Sequence, residues 1–276
     1  MAREVEVSGI KIGNCNPLVV IAGPCVVENR DIAMRVAEHA VKVTSKLHIP
    51  YIYKSSYKKA NRTSENGFVG IGIDEALKVL EEVKKQFQIP ILTDIHTERE
   101  AALAAEVADI LQIPAFLCRQ TDLLHAAGLT GRAVNIKKGQ FMAPEDMAHQ
   151  AKKVEAVGNG NVMLTERGTT FGYHNLVVDM RSLIIMRESG YPVVLDATHS
   201  LQLPGGEKDR TGGQPQFIFP IARAGVAVGI DGLFLETHPN PSAALSDAST
   251  QLPLNLLESL LREVKAIDQV RRESGL

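Results

Sequence analysis

The chain has 276 residues, 45% of them hydrophobic and 22% charged, and its 30 Lys and Arg residues nearly balance 32 Asp and Glu residues. A chain of this length buries a sizeable core, either as one large α/β barrel or as two ordinary domains. The formal net charge of -2 creates no overall positive field, so we expect neither nucleic acid nor an anionic membrane surface as a partner. Any anionic ligand must be bound by a local cluster of side chains.

The amino-terminal residues and the cysteines suggest a cytoplasmic protein. The first residues alternate charged side chains with Val, and no apolar run reaches 18 residues, so neither a secretion signal nor a membrane-spanning helix is expected. Cys15, Cys25 and Cys118 cannot all pair, and a chain this long does not need disulfides, which favours reduced thiols. A catalytic or metal-binding role for one thiol stays open.

Taken in chain order, the sequence predicts a short hairpin followed by repeated strand and helix pairs. The hairpin covers residues 4–12, where apolar and charged side chains alternate around Ser8-Gly9, and it would close the bottom of a barrel. Short runs rich in Val and Ile then alternate with segments of helical period. The predicted strands are 18–21, 51–54, 91–93, 110–112, 133–136, 162–164, 193–195 and 233–235, and the helices that follow them are 31–47, 74–87, 98–107, 122–129, 144–157, 178–189, 217–228 and 254–270.

This alternation predicts an α/β fold, a (β/α)8 TIM barrel. We expect a single domain over residues 1–276, with about residues 1–16 as the hairpin extension, because no linker or charged block divides the chain. The competing doubly wound sheet would carry a glycine-rich phosphate loop after an early strand. The sequence contains neither a complete GxGxxG fingerprint nor GxxxxGK[ST].

Polar side chains stand where each predicted strand ends. Active sites of such barrels form at the carboxyl ends of the strands, so these positions are candidate site residues. Burying Lys54, Lys137 and Arg167 together is costly unless an anion balances them, which predicts an anionic substrate; a lone Lys could equally extend its ammonium into water. The positions are Cys25, Lys54, Asp94, His96, Gln112, Lys137, Glu166, Arg167, Asp196, His199, Glu236 and His238.

Four potential metal ligands occur in loops that a closed barrel brings together. Strands one and eight are neighbours, so a site with thiolate, imidazole and carboxylate ligands is a candidate. Spacing alone favours the alternative, in which the cysteine is a small buried apolar residue and the histidine a hydrogen-bonded loop residue. Lys54 could also be the Schiff-base lysine of an aldolase. The four potential ligands are Cys25, His199, Glu236 and Asp247.

The glycine-bounded, charged segment 205–213 follows His199 directly. Its composition predicts a mobile lid over the barrel mouth. The alternative is an ordinary flexible surface loop.

Several strand-end segments, read together, closely resemble the 3-deoxy-D-manno-octulosonate 8-phosphate synthases over nearly the whole chain. The resemblance implies a transferase that condenses phosphoenolpyruvate with D-arabinose 5-phosphate and releases phosphate, in the synthesis of the inner sugar of lipopolysaccharide. It implies no organic cofactor. The segments are Ile21-Ala-Gly-Pro-Cys25, Lys54-Ser-Ser, Lys59-Ala-Asn-Arg62, Gln112-Ile-Pro-Ala-Phe-Leu-Cys-Arg119, Asn135-Ile-Lys-Lys-Gly-Gln140, Thr165-Glu-Arg167-Gly, Phe171-Gly-Tyr-His-Asn175, Asp196-Ala-Thr-His199 and Glu236-Thr-His-Pro239.

The resemblance also implies roles for individual residues. Cys25 places the chain with the metal-containing members, since metal-independent members carry Asn there, and the ion would be divalent Fe, Zn, Mn or Co bound with His199, Glu236 and Asp247. Arg119 would reach the site of a neighbouring subunit in a homotetramer. The residues implied in phosphoenolpyruvate binding are Lys54, Lys59, Gln112, Lys137 and Arg167; those implied on the sugar side are Asn61, Arg62, Thr63, Asp94 and Arg119; and those implied in catalysis are Lys54, Lys59, Asp94, Lys137 and His199. Ala115 and His199 are also implied in substrate binding.

Two related functions are the alternatives. The 3-deoxy-heptulosonate 7-phosphate synthases, which use erythrose 4-phosphate, typically have Lys-Pro-Arg-Thr where this chain has Lys59-Ala-Asn-Arg62, so this segment favours arabinose 5-phosphate. A non-catalytic sugar-phosphate-binding barrel is the other. Thr63 replaces the Ser common in the synthases and keeps a hydroxyl, whereas Val69 stands where Arg is common.

Overall fold

The computed structural model describes residues 3–60, 67–207 and 210–275. A small antiparallel hairpin of β1 (Val5–Val7) and β2 (Ile10–Ile12) precedes the barrel. The barrel strands are β3 (Val19–Gly23), β4 (Tyr51–Lys54), β5 (Ile91–Asp94), β6 (Ile110–Ile113), β7 (Ala133–Lys137), β8 (Val162–Glu166), β11 (Val193–Asp196) and β14 (Gly232–His238).

The helices alternate with these strands along the chain. The first, α1, begins after Asn29, whose side chain accepts a hydrogen bond from the Ile32 backbone N–H. Among the described residues no helix is both long and apolar enough to cross a membrane. The helices are α1 (Arg30–Leu47), α2 (Ile73–Phe87), α3 (Glu98–Val107), α4 (Thr121–Leu129), α5 (Met147–Glu155), α6 (Met180–Glu188), α7 (Ile218–Val228) and α8 (Leu257–Glu273).

Parallel pairing of neighbouring strands closes the barrel. Each strand from β3 to β8 pairs with the next, β8 pairs with β11, and β14 joins β11 to β3. Asp196 lies opposite Phe234 in the closing register. The predicted (β/α)8 barrel is therefore confirmed, and helix and strand types follow the hydrophobic periods that the sequence shows.

The amino-terminal hairpin fills one end of the barrel, as predicted. Val5, Val7 and Ile12 are buried against inward-facing apolar residues of the strands, including Val19 and Ile110, which stand at or near the starts of β3 and β6. These contacts seal the end of the barrel opposite the carboxyl ends of the strands. A second apolar cluster lies between the strands and the helices.

Seven of the eight predicted barrel strands end one to three residues too early, whereas β4 ends at Lys54 as predicted. Asp94, Lys137, Glu166 and Asp196 are the last residues of β5, β7, β8 and β11, whereas the sequence placed them in loops. The strands continue because these side chains are buried and hydrogen-bonded or ion-paired, so their polarity does not end the backbone ladder.

The segment expected to be a loop contains regular structure. β12 (Gln202–Glu207) and β13 (Arg210–Gly213) pair antiparallel with an irregular register between Leu203 and Glu207. Lys208 and Asp209, between them, lie outside the described residues. Backbone pairing between β12 and β13 explains why this segment is a hairpin and not an irregular loop. The mobility of this hairpin stays a prediction. The remaining short strands are β9 (Thr169–Thr170), β10 (Leu176–Val177) and β15 (Leu252–Pro253).

Candidate active site

Alternation along the barrel strands brings polar side chains together at the carboxyl end of the barrel. In β7, for example, Ala133 belongs to the inner apolar cluster and Val134 to the outer one, so Asn135 and Lys137 face inward. The same period places the other strand-end residues inside the rim. These buried residues are Lys54, Asp94, Gln112, Lys137, Asp196 and Glu236.

Three of the four predicted metal ligands form one compact group. Single ligand atoms of Cys25, Glu236 and Asp247 all lie within 4.8 Å of one another. The Cys25 Sγ is 3.2 Å from Asp247 Oδ2. His199 lies beside this group, with Nε2 3.3 Å from Glu236 Oε1 and 3.7 Å from Asp247 Oδ2.

A buried carboxylate orients the imidazole of His199. The Asp196 Oδ2 lies 2.6 Å from His199 Nδ1, and its Oδ1 accepts a hydrogen bond from the His199 backbone N–H at 2.9 Å. A proton on Nδ1 leaves the Nε2 lone pair directed towards Glu236 and Asp247. Metal-binding histidines are commonly held by such a carboxylate contact.

The charges around Cys25 suit a cation. Burial raises the pKa of the Cys25 thiol well above its usual range, and the charges of Asp247 and Glu236 raise it further. A divalent ion reverses this balance because it binds the thiolate form. Glu236 Oε2 is buried and has no hydrogen-bond partner among the described residues, so a ligand atom is available. The donor set fits Fe, Zn, Mn or Co.

Two lysines contact the Glu236 side of this group. Lys54 Nζ donates hydrogen bonds to Glu236 Oε1 at 3.1 Å and to the Cys25 carbonyl at 3.3 Å. Lys59 Nζ lies 3.9 Å from the same Glu236 oxygen and donates to Ser56 Oγ at 2.9 Å. Burial would raise the pKa of the Glu236 carboxyl, yet the charges of His199 and Lys54 outweigh burial and lower it to about 2.

Lys137 and Lys54 lie over the same aromatic ring. The ammonium of Lys137 is 3.7 Å from the centroid of Phe234 and that of Lys54 is 5.4 Å away, which places both in reach of the negative ring face. Lys137 also pairs with Asp196. Burial lowers the pKa of Lys137 to about 8, with Asp196 opposing the shift and Lys54 adding to it.

Arg167 is held from behind by Glu166, whose side chain faces α6. Glu166 Oε1 accepts hydrogen bonds from the backbone N–H groups of Arg167 at 3.0 Å and Gly168 at 2.7 Å, and Oε2 accepts from Ser182 Oγ at 2.6 Å. The Lys138 ammonium lies 3.4 Å from Glu166 Oε1. These contacts fix the backbone from which the guanidinium extends into the rim.

The guanidinium of Arg167 retains a free donor. Its Nη2 donates to Gln202 Oε1 at 2.8 Å, while its buried Nη1 has no partner among the described residues. By contrast, Glu236 and Asp196 supply counter-charges for Lys54 and Lys137. The expectation that all three cations need an external anion is therefore too strong, and it holds best for Arg167.

The sugar-side residues are only partly described. Asp94 accepts a hydrogen bond from Ser56 and lies 3.1 Å from His96 Nε2. Burial disfavours its charged form, but the His96 hydrogen bond and the Lys59 charge hold the pKa of Asp94 well below its usual range. Asn61, Arg62 and Thr63 lie outside the described residues.

Ala115 and Arg119 lie in the segment that follows β6. Ala115 begins a short 3-10 helix (Ala115–Leu117) after β6 and is half-buried. Arg119 is exposed, and its carbonyl accepts a hydrogen bond from Lys153. A role in a neighbouring subunit's site stays a prediction.

Several residues that touch this cluster were given no individual role from the sequence, although some of them lie in the strand-end segments. Asn135 and Phe234 lie two positions before Lys137 and Glu236 on their strands, and Thr165 faces inward beside them. Side chains two positions apart on a strand face the same side, so the positions of Lys137 and Glu236 would have predicted that Asn135 and Phe234 also face inward. Ser56, which contacts Lys54, Lys59 and Asp94, had no such signal.

Comparisons with known proteins find a matching family model and several similar proteins. The family model described as "DAHP synthetase I family" matches residues 2–273. Three similar proteins are named 2-dehydro-3-deoxyphosphooctonate aldolase. That of Trichlorobacter lovleyi is 54% identical, covering 99% of this chain and 100% of the relative. That of Acidithiobacillus ferrooxidans is 53% identical, covering 96% and 95%, and that of Pelobacter propionicus is 53% identical, covering 98% and 99%. The chain belongs to the DAHP synthetase I family.

Proposed function

We propose that this chain condenses phosphoenolpyruvate with D-arabinose 5-phosphate and water, giving 3-deoxy-D-manno-octulosonate 8-phosphate and phosphate. The observation that carries the proposal is the meeting of the cations Lys54, Lys137 and Arg167 with the metal-capable group at one barrel rim. The names of relatives more than half identical to this chain give the product class. The reaction would serve the synthesis of the inner sugar of lipopolysaccharide.

Cationic side chains would bind phosphoenolpyruvate. The free Nη1 of Arg167 offers a donor in a fixed direction, and Lys137 and Lys54 offer ammonium charges over Phe234. Gln112 and Lys59 stand at the same rim, and Ala115 follows β6. Fixed charges at a buried site accelerate a reaction mainly through positioning and preorganised electrostatics.

The sugar phosphate would approach from the side of Asp94. Its ionised carboxylate, held by Ser56 and His96, is an acceptor for a sugar hydroxyl. Asn61, Arg62 and Thr63 would bind the phosphate end together with Arg119 of a neighbouring subunit.

The condensation needs no covalent bond to the enzyme. The C=C electrons of phosphoenolpyruvate form the new C–C bond from C3 to the aldehyde carbon, and the aldehyde oxygen gains a proton. Water adds to the resulting electron-poor C2 and loses one proton. The C2–O bond to phosphate then breaks, and the hydroxyl left on C2 gives its proton to the departing phosphate as the ketone forms. Lys54, Lys137 and Arg167 would hold the phosphoenolpyruvate charges through these steps, and Asp196 would keep His199 oriented.

Cys25, His199, Glu236 and Asp247 would hold the divalent ion. The thiolate, imidazole and carboxylate donors fit such an ion. The bound ion would supply positive charge that orients the aldehyde oxygen or a water molecule.

We further propose that the chain forms one domain over residues 1–276 and acts as a subunit of a cytoplasmic homotetramer. The eight strands close one continuous barrel. Cys15, Cys25 and Cys118 are all free thiols, which suits a reducing compartment.

Phosphate release from phosphoenolpyruvate tests the proposal. We expect rapid release with arabinose 5-phosphate and little with erythrose 4-phosphate, and the reverse preference would indicate a heptulosonate synthase. Absence of turnover with either sugar would leave a binding protein. A Schiff-base mechanism through Lys54 predicts irreversible inactivation by borohydride in the presence of substrate, which we do not expect.

A further inference from the structure

Three buried polar side chains form a hydrogen-bonded row across neighbouring strands. Thr165 of β8 donates from Oγ1 to Asn135 Oδ1 at 2.6 Å, and Asn135 of β7 donates from Nδ2 to Gln112 Oε1 of β6 at 3.1 Å. Thr165 and Asn135 are fully buried, and Gln112 is 5% exposed. The row lies inside the barrel and ends at a residue of the candidate active site.

The direction of the row follows from the hydroxyl of Thr165. In the part of the chain that the structure describes, this hydroxyl has Asn135 as its one side-chain partner. Its proton needs an acceptor because an unsatisfied buried donor costs about 1–3 kcal/mol. The acceptor must be the Asn135 carbonyl oxygen, so the Asn135 NH2 group faces Gln112.

This direction decides which end of the Gln112 amide faces the rim. Gln112 Oε1 is occupied by Asn135, so the Nε2 group points away from the row. With the amide reversed, Gln112 and Asn135 would present two NH2 groups to each other. An NH2 group can donate to an anion, whereas a carbonyl oxygen would repel it.

We propose that Thr165 and Asn135 are positioning residues that hold the Gln112 amide with its NH2 group towards phosphoenolpyruvate. The inference rests on the proposed function, in which Gln112 binds that anion. Neither Thr165 nor Asn135 needs to touch the substrate. The row instead removes the freedom of the amide to rotate and present its oxygen.

Replacement of the hydroxyl tests the inference. Thr165→Val keeps the volume and removes the donor, and Thr165→Ser keeps the donor and removes a methyl group. We expect Thr165→Val to raise KM for phosphoenolpyruvate about tenfold, the effect of one hydrogen bond to a charged group, with kcat within about twofold. Thr165→Ser should keep the KM of the unaltered enzyme. KM for arabinose 5-phosphate should change in neither variant.

A double-mutant cycle separates positioning from general damage to the barrel. In a Gln112→Ala background the amide is gone, so Thr165→Val should raise KM for phosphoenolpyruvate no further. An equal rise in both backgrounds, or an unchanged KM in Thr165→Val alone, would overturn the inference. If Thr165→Val does not fold, Thr165→Ala removes the same hydroxyl without crowding and is judged by the same cycle.

The unaltered enzyme is assayed first, so the two proposals fail separately. No phosphate release with either sugar would remove the proposed function. If the unaltered enzyme turns over normally and Thr165→Val has the same KM for phosphoenolpyruvate, only the positioning role is excluded.

Discussion

Cys25 is fully buried beside two carboxylates, and burial and their charges raise the pKa of its thiol. A bound cation offsets this cost. We therefore expect chelation to abolish phosphate release and a divalent ion to restore it in the unaltered enzyme. Cys25→Ala should stay more than about 100-fold less active with added metal, since even residues that only orient a ligand contribute 10–100-fold. Bound metal is measured by elemental analysis; full turnover of metal-free enzyme would contradict the assignment.

The same position offers a second prediction. Metal-independent members of the resembled synthases carry Asn at this position, so we expect Cys25→Asn to give partial activity that chelation does not remove. Cys25→Ala serves as the matched control because it leaves His199, Glu236 and Asp247 in place without a polar group. A completely inactive Cys25→Asn would show that surrounding residues also separate the two classes.

As a proposed ligand of phosphoenolpyruvate, Lys137 should set an alkaline limit to substrate binding. Its pKa of about 8 in the free enzyme means that the ammonium is lost as pH rises above that value. We expect kcat/KM for phosphoenolpyruvate to fall about tenfold per pH unit above pH 8, because this ratio reports ionisation of the free enzyme. Lys137→Arg, which stays charged, should lack this fall although its overall activity is lower. The same alkaline fall in both enzymes would assign it to another group.

Unfolding would not explain this alkaline loss. Between pH 8 and the ordinary lysine value of 10.5, the unfolded chain binds more protons at this position than the folded chain. The free energy of unfolding therefore rises with pH through this window as far as Lys137 contributes. A thermal unfolding series over the same pH range separates stability from binding.

At the scale of elements, the alternation of strand-like and helix-like apolar periods predicted most of the fold. The eight strand and helix pairs and the sealing hairpin are confirmed, because their apolar periods are local properties of the sequence. Strand ends were misplaced where a polar residue such as Asp196 faces inward. Its place depends on Lys137 of β7 and on His199, which follows three residues later in the chain. The pairing with Lys137 leaves no local signal in the sequence.

The turn after β8 depends on a buried ion pair. Glu166 accepts the Arg167 and Gly168 backbone N–H groups and balances the Lys138 charge. Glu166→Gln leaves that charge unpaired, so we expect the free energy of unfolding in urea to fall by about 3 kcal/mol and KM for phosphoenolpyruvate to rise. Ser182→Ala removes one hydroxyl hydrogen bond to the Glu166 carboxylate and leaves the ion pair in place, so it should cost less, about 1.5 kcal/mol. Equal losses in the two variants would contradict the role of the charge.

At the scale of the whole molecule, the sequence resemblance to the synthases is confirmed by relatives 53–54% identical to the chain. The roles of individual residues stay predictions, since they depend on ligands and on neighbouring subunits. Large apolar side chains are exposed in adjacent loops on the side of Arg119. They are Phe116 after β6, Phe141 after β7, and Phe171 and Tyr173 after β8. Exposed apolar groups of this size favour an interface between subunits.

Arg119 allows the assembly to be tested through activity. We expect Arg119→Ala to raise KM for arabinose 5-phosphate at least tenfold, about the effect of one hydrogen-bonded charge, without changing KM for phosphoenolpyruvate.

Lys137→Ala, in turn, should inactivate the site of its own subunit. If each site combines Lys137 of one subunit with Arg119 of the next, differently tagged variants co-expressed and purified as hybrids regain activity. In such a hybrid, the Arg119→Ala subunit still has Lys137, and the neighbouring Lys137→Ala subunit still has Arg119. The site that these two residues form together is complete. Hybrids that keep the raised KM for arabinose 5-phosphate of the Arg119→Ala parent would place Arg119 in its own subunit's site or outside the reaction. A monomeric enzyme by light scattering would exclude the shared site altogether.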